Sequence, residues 1–177
     1  MKMLRFAAVA LAAAAVACST LQVTTDYAPG TDFSKYKTFT LKAGTPPKNP
    51  IAAERFAKSL TAALEARGLK QVAEGADLNV FAHFSLGKDT QLNTYGYGGW
   101  GGGWRYGGVG GMQTTQVQEI PTGTVVIDLV DAKAKTAVWR GIAKDEISTT
   151  ATPEERQQKA DLVAQKLFEN YPPQAKK

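Results

Sequence analysis

Cys18 is the residue of this chain whose type and position indicate a specific chemistry. It is the only cysteine, and it follows a stretch that starts with the cations Lys2 and Arg5 and continues as a run of twelve apolar residues, 6–17. A charged start, an apolar run and small residues before a cleavage point are typical of a secretory signal peptide. The run is shorter than the ~20 residues that cross a bilayer. We therefore expect residues 1–17 to be removed.

Two cleavage products are compatible with this pattern. Ala15-Val16-Ala17 is an A-x-A site for ordinary signal peptidase, which would release a soluble periplasmic protein. With Cys18 it also resembles the bacterial lipobox, in which the cysteine becomes acylated, although leucine is usual where Ala15 stands. Lipidation is favoured, because a lone thiol in an oxidising compartment is a liability unless it is consumed. The sequence predicts a palmitate-type anchor at Cys18, in the outer membrane because Ser19 follows rather than Asp.

The segment 95–111 combines glycine with aromatic side chains. It holds ten glycines, three tyrosines and two tryptophans among seventeen residues, and glycine at this density has high chain entropy and little to pack. We expect a long flexible insertion between two strands, with ligand recognition and self-association as the other interpretations. Because the rings can stack on sugar or peptide chains, the candidate contact residues are Tyr95, Tyr97, Trp100, Trp104, Arg105 and Tyr106. A G-x-G-x-x-G match at 96–101 lacks the strand–turn–helix context of a dinucleotide site.

No catalytic, cofactor or metal motif is apparent. His83 is the only histidine, and we expect it at a surface or interface, on the more polar face of a strand. The chain has no G-x-S-x-G elbow, H-E-x-x-H pair or P-loop. Distant carboxylates such as Asp77, Asp128 and Asp131 could meet in space, and glycosidase chemistry needs only two. A hydrolase is therefore kept as the least favoured hypothesis, since Asp131 suits a hairpin turn better.

The pattern of apolar residues predicts one α+β domain over residues 18–177. Strands are expected at 21–26, 38–41, 78–86 and 113–120, followed by a hairpin of 123–130 and 137–147 in which Asp128 faces Arg140. One helix is expected between the cap Asn49 and Gly68, and a second from the capping box of Thr152 and Glu155 to Pro172-Pro173. This order favours a mostly antiparallel sheet with both helices packed on one face, plus the long glycine-aromatic loop.

Several segments, taken in order, carry a family resemblance. They are Val23–Tyr27 with Gly30–Phe39, Gly68-Leu69 with Ala76–Leu78, Ile127–Ala132 with Val138–Gly141, and the terminal Pro172-Pro173. Together with the glycine-aromatic insertion they resemble the bacterial lipoprotein family called domain of unknown function 4136. The resemblance implies a small α+β lipoprotein domain of Gram-negative envelopes. It brings no catalytic or binding residues, because the family has no assigned function.

The charge of the mature chain is weakly basic, spread along the sequence, and indicates a solvated surface. Without Lys2 and Arg5, the 21 basic residues fall to 19 against 16 acidic ones, a net charge of +3, and no run of five like charges occurs. Export separates the protein from nucleic acid. The sequence thus predicts a non-catalytic envelope lipoprotein facing the periplasm, with no cofactor. The alternative is a binding module for cell-wall polymer, polysaccharide or an envelope protein through the glycine-aromatic loop.

Overall fold

The computed structural model describes residues 20–96 and 113–173, apart from the side chains of 91–96 and 113–116. The described residues form a single α+β domain with one mixed sheet and two helices, which confirms the predicted fold class. The strands are β1 (Gln22–Tyr27), β2 (Thr38–Thr45), β3 (Lys70–Gln71), β4 (Leu78–Gly96), β5 (Gln113–Asp131) and β6 (Ala137–Glu146). The helices are α1 (Pro50–Glu65) and α2 (Pro153–Leu167), and a short 3₁₀ turn covers Phe33–Lys35.

The sheet has the strand order β1-β6-β5-β4-β2-β3. The pairs β1/β6, β6/β5 and β5/β4 are antiparallel, whereas β2 pairs in parallel with both β4 and β3. The parallel pairing is possible because α1 carries the chain back between β2 and the strands that follow, as a crossover connection requires. The sheet is therefore antiparallel over its longest pairings and parallel at one edge.

Both helices begin where the sequence places a cap. The Asn49 side chain accepts a hydrogen bond from the Ile51 N–H at 3.0 Å, and Thr152 and Glu155 form the reciprocal capping box that opens α2. These bonds satisfy backbone donors that have no partner inside a helix. Gly68 follows the end of α1 with a φ of +84°, a left-handed conformation that favours glycine.

One hydrophobic core lies between the sheet and the two helices. Trp139 of β6 stacks on Phe168, just after α2, at a ring-centroid distance of 4.8 Å, and Phe56 of α1 meets Phe84 of β4 edge-to-face at 5.2 Å. The residues with the most completely buried side chains come from both layers: Phe39, Leu60, Leu64, Leu78, Val80, Ile127, Leu129, Leu167 and Phe168. Both helices therefore cover the same face of the sheet.

Four sequence-based boundaries were wrong, and the first is that the strand expected at 38–41 extends to Thr45. The strands expected at 113–120 and 123–130 form one continuous strand, β5, which passes through Pro121. The strand expected at 78–86 continues to Gly96, so that Tyr95 and Gly96, taken as the start of the insertion, are paired with Thr114 and Gln113. The second helix ends at Leu167 rather than at the two prolines, because the chain turns after Phe168 and buries Tyr171.

Candidate functional site

The anchor and most of the predicted contact residues lie outside the described part of the chain. Cys18 precedes the first described residue, Thr20, and Tyr97, Trp100, Trp104, Arg105 and Tyr106 fall within 97–112. Tyr95 lies in β4 opposite Thr114, with its side chain not described. These positions therefore remain predictions, and the described residues show the scaffold that carries them.

That scaffold is a two-stranded arm formed by the distal parts of β4 and β5. The strands are paired from Leu78 opposite Asp131 to Gly96 opposite Gln113, whereas β6 ends at Glu146 opposite Thr122. Beyond Pro121, eight residue pairs continue without β6, a length of about 27 Å at ~3.4 Å per residue. The two ends of the glycine-aromatic segment are thus held side by side at the far end of this arm.

His83 lies on the sheet face opposite the helices. Its partner across β5 is Val126, and it neighbours Thr45 of β2. The Thr45 N–H donates to His83 Nδ1 at 3.2 Å, so Nδ1 is an acceptor and any proton of the neutral ring is on Nε2. This half-buried position on the more polar face agrees with the expectation of a surface or interface histidine.

Asp128 and Arg140 lie on the same open face, in the predicted register. They are directly opposite in the β5/β6 hairpin, and Arg140 donates from Nε and Nη2 to the two Asp128 carboxylate oxygens at 2.6 and 2.8 Å. Such a two-bond fork fixes both side chains. The Asp128 carboxylate is therefore paired with Arg140. It stabilises the hairpin and does not form a reactive pair with another carboxylate.

Asp131 is a fully hydrogen-bonded carboxylate at the hairpin turn. Its Oδ1 accepts from the backbone N–H groups of Lys133 and Ala134 at 2.9 and 3.0 Å. Its Oδ2 accepts from the Tyr36 hydroxyl at 2.9 Å and from Lys35 Nζ at 3.1 Å. These bonds, the one from Ala134 foremost, hold the pKa of Asp131 well below its ordinary value. A glycosidase acid needs a raised pKa, and Asp131 has the opposite shift.

Asp77 joins the same region of the chain to the sheet. Its Oδ2 accepts from the backbone N–H groups of Lys37 and Thr38 and from the Thr38 hydroxyl, at 2.9, 3.0 and 2.9 Å. The Lys37 backbone bond is the main reason that the pKa of Asp77 is lowered. Asp77 and Asp131 are thus brought to one segment, residues 35–38, where each stabilises the chain entering β2.

A polar cluster that the sequence did not indicate links the two helices. The hydroxyl of Ser59 in α1 donates to Asp161 Oδ1 in α2 at 2.6 Å, and Gln157 Nε2 donates to the same oxygen at 2.9 Å. A polar residue on the apolar face of α1, beside Phe56 and Leu60, was the available sign of it. His83 lies on the other side of the sheet from Ser59, so these residues do not form a serine–histidine–acid arrangement.

An apolar cleft of about 220 Å³ lies between β2, the Pro46-Pro47 loop, α1 and β4. Small residues make up much of its lining, among them Gly44, Ala53, Ala57 and Ala82. Apolar cavities of ~150 Å³ hold a benzene-sized group, whereas ligand pockets usually start near 300 Å³ and carry a few oriented polar groups. The cleft can accept a small apolar group, and its apolar lining provides little to orient one.

Two further properties concern the described residues as a whole. No group of three or more histidine, cysteine, aspartate or glutamate side chains within 20–96 and 113–173 is placed to hold a metal ion. In the same ranges, neither helix is long and apolar enough to cross a membrane.

The fold and this scaffold define a small α+β domain with a mixed six-stranded sheet, two helices on one face and a protruding two-stranded arm. A profile of the family described as "Domain of unknown function (DUF4136)" matches residues 23–173. The chain belongs to this family, as the order of the resembling segments predicted. No curated protein sequence matches it.

Solved structures of low sequence identity share the fold. A PDZ domain protein from Parabacteroides distasonis aligns with 14% identity and a TM-score of 0.55, over 89% of this chain and 38% of that chain. This chain therefore spans well under half of that protein. A PelC dodecamer from Paraburkholderia phytofirmans aligns with 15% identity and a TM-score of 0.51, over 84% of this chain and 94% of the PelC chain. Both similarities concern the fold alone.

Proposed function

We propose that this protein is a non-catalytic lipoprotein of the bacterial envelope, held at the periplasmic face of the outer membrane by an acylated Cys18. The observation that carries the proposal is the lone cysteine at the end of a signal-peptide pattern, directly after Ala15-Val16-Ala17. Two or more acyl chains, at about 0.8 kcal/mol per buried CH₂, anchor stably where one is marginal.

The start of the fold is consistent with an anchor so close to it. The Thr20 hydroxyl donates to Asp145 Oδ1 at 2.6 Å, and β1 begins at Gln22. A four-residue connection from Cys18 to β1 reaches at most about 14 Å. An acylated Cys18 would therefore keep the domain next to the membrane surface, with the β1 end of the sheet nearest to it.

The environment of the acidic residues supports a non-catalytic role. The three carboxylates considered for a hydrolase are engaged: Asp128 by Arg140, Asp131 by Tyr36 and Lys35, and Asp77 by Lys37 and Thr38. Asp77 and Asp131 have lowered pKa values, which suits fixed carboxylates better than proton donors. The hydrolase hypothesis is accordingly the weakest of the three.

The anchor is tested by metabolic labelling of cells with a palmitate analogue. The wild-type chain should incorporate the label and fractionate with the outer membrane. Cys18→Ala should lose the label completely and appear in the soluble periplasmic fraction, because the A-x-A site before it remains. Met112→Ala, which leaves the signal region intact, serves as the control. An unlabelled wild-type protein would contradict the proposal.

The second candidate function is a binding module for cell-wall polymer, polysaccharide or an envelope protein. It is favoured by one observation: the arm holds both ends of the aromatic segment about 27 Å beyond the end of β6. Deletion of residues 97–112 should abolish co-sedimentation with cell wall. The same deletion should remove the partner proteins that crosslink to the wild-type chain. Ile51→Ala, an exposed apolar position on α1, is the control. Unchanged binding after the deletion would reject this function.

A further inference from the structure

The arm has two strand edges that no described strand covers. On the β5 side, pairing with β6 ends at Thr122, and the Ile147 N–H makes a last bond to the Pro121 carbonyl at 2.9 Å. On the β4 side, the last β2 pairing joins Thr45 to His83. An uncovered edge presents a row of backbone donors and acceptors to any further strand. The arm therefore has the geometry of an incomplete sheet.

The Pro121 carbonyl shows which residues of β5 direct their backbone N–H and C=O groups to the uncovered side. The N–H and C=O of one strand residue point the same way, and the Pro121 carbonyl points toward β6. The backbone N–H that proline lacks would also point to that side, so its absence removes no hydrogen bond between β5 and β4. Every second residue shares this direction, namely Gln113, Thr115, Val117 and Glu119.

The distal part of the arm lacks the usual devices that prevent edge pairing. Natural edge strands are protected by lysine or other charges, by proline, or by a covering element. The distal segments Thr90–Gly96 and Gln113–Gln118 contain no Lys, Arg, Asp, Glu or Pro. A two-stranded ribbon without a covering layer is marginal in water, whereas three or more strands gain stability. A further strand would stabilise this arm.

We propose that the occupant of the β5 edge is the same edge of a second copy of this chain. Two β5 edges related by a two-fold axis run antiparallel and offer matching lengths, which makes an isologous contact. With the axis at Gln116, Gln113 faces Glu119 of the second copy and Thr115 faces Val117. The four outward residues of each copy then form about eight backbone hydrogen bonds, close to the ~10 of a typical interface. No like charges face each other in this register.

The β5 edge is a better choice than the β4 edge for a physical reason. The first part of the uncovered β4 edge lies beside the Pro46-Pro47 loop, which lines the apolar cleft together with Ala82 and Phe84. Further along the edge stands Lys88, a residue type that blunts strand edges. Beyond Pro121, the β5 edge has its first charge at Glu119, which forms an ion pair with Lys88, at the base of the arm, at 2.6 Å.

The test compares two proline variants that should destabilise the arm to the same extent. Val117 and Thr90 both point their N–H away from the other strand of the arm, so proline at either position leaves β4/β5 pairing intact. Light scattering of the full chain in detergent should give a dimer mass for wild type and for Thr90→Pro. Val117→Pro should weaken dimerisation at least tenfold while leaving the far-ultraviolet circular dichroism unchanged. A monomeric wild type, or an unaltered Val117→Pro dimer, would overturn the proposal.

Disulfide trapping gives a readout that does not depend on the folding of a proline variant. In a Cys18→Ser background, Gln116→Cys should crosslink to a dimer upon oxidation, because residues opposite each other at a non-hydrogen-bonded position have Cα atoms about 4.5 Å apart, within the range of a disulfide. Asn93→Cys is the matched control, since Asn93 faces Gln116 inside the arm but lies on the β4 strand. Equal crosslinking of both variants, or none of Gln116→Cys, counts against the β5 interface.

Discussion

Asp131 accepts four hydrogen bonds that come from two separate parts of the chain. Two come from its own turn, from Lys133 and Ala134, and two come from Tyr36 and Lys35, almost a hundred residues earlier. One carboxylate therefore closes the β5/β6 hairpin and also fixes the segment that enters β2. At the scale of single residues, buried or half-buried carboxylates in this chain join segments that are distant in sequence. The hydrogen bonds that Asp77 accepts from Lys37 and Thr38 are a second example.

Asp131→Asn should lower the melting temperature at pH 7 by several degrees. The folded state lowers the pKa of Asp131, so the ionised group stabilises the fold above its unfolded pKa of about 3.9. That contribution is lost as the pH falls toward the folded-state pKa. The difference in melting temperature between wild type and variant should therefore narrow progressively below about pH 4. Glu54→Gln, whose exposed carboxylate pairs only with Lys58 within α1, should change little at any pH. A difference that is independent of pH would argue against the ionic role of Asp131.

At the scale of secondary-structure elements, the sequence predicted the features that depend on interactions between residues close in the chain. The caps at Asn49 and Thr152 and the helical spacing of Phe56 and Leu60 act within a few residues, and both helices began where expected. The length of β5 could not be predicted, because Pro121 normally ends a strand. It is tolerated here because its missing donor points to the side that β6 has just left.

The parallel pairing of β2 depends on a contact that no local pattern reveals. β2 has one extra residue between Lys42 and Thr45 relative to β4, which makes a bulge. At Gly44 in this bulge, a Cβ atom would lie 2.1 Å from the Ala82 carbonyl oxygen. Only glycine allows the two backbones to approach so closely. Likewise, the contact of Ser59 with Asp161 requires that the helices already cross on the sheet.

Gly44→Ala should destabilise the protein by about 1–3 kcal/mol in urea unfolding, as forced contacts in packed regions do. The backbone of β4 has to move, because the contacting atom is a carbonyl oxygen rather than the end of a flexible side chain. Gly87→Ala is the control: its Cβ would meet only the Thr122 hydroxyl, at 3.2 Å, and that side chain can adjust. Equal stability of the two variants would show that the bulge tolerates a wider separation of β2 from β4.

At the scale of the whole molecule, a single core makes the sheet and the two helices mutually dependent. Phe168 is fully buried and stacks on Trp139 of β6, while α1 and α2 are joined through Ser59 and Asp161. A substitution that destabilises one helix should therefore also destabilise the other helix and the sheet. The arm beyond Pro121 is different, because among the described strands it is paired only within itself.

Phe168→Ala should cost about 3–5 kcal/mol, the usual range for a large buried aromatic replaced by alanine. Because there is one core, unfolding should stay a single transition, with the same midpoint for the near-ultraviolet circular dichroism of the aromatic side chains and for far-ultraviolet helix content. Ile51→Ala, which removes an exposed side chain from α1, should stay within about 0.5 kcal/mol of wild type. If α1 instead melted separately from α2 in Phe168→Ala, the helices would rest on the sheet independently, and the hydrogen bond between Ser59 and Asp161 would not couple them.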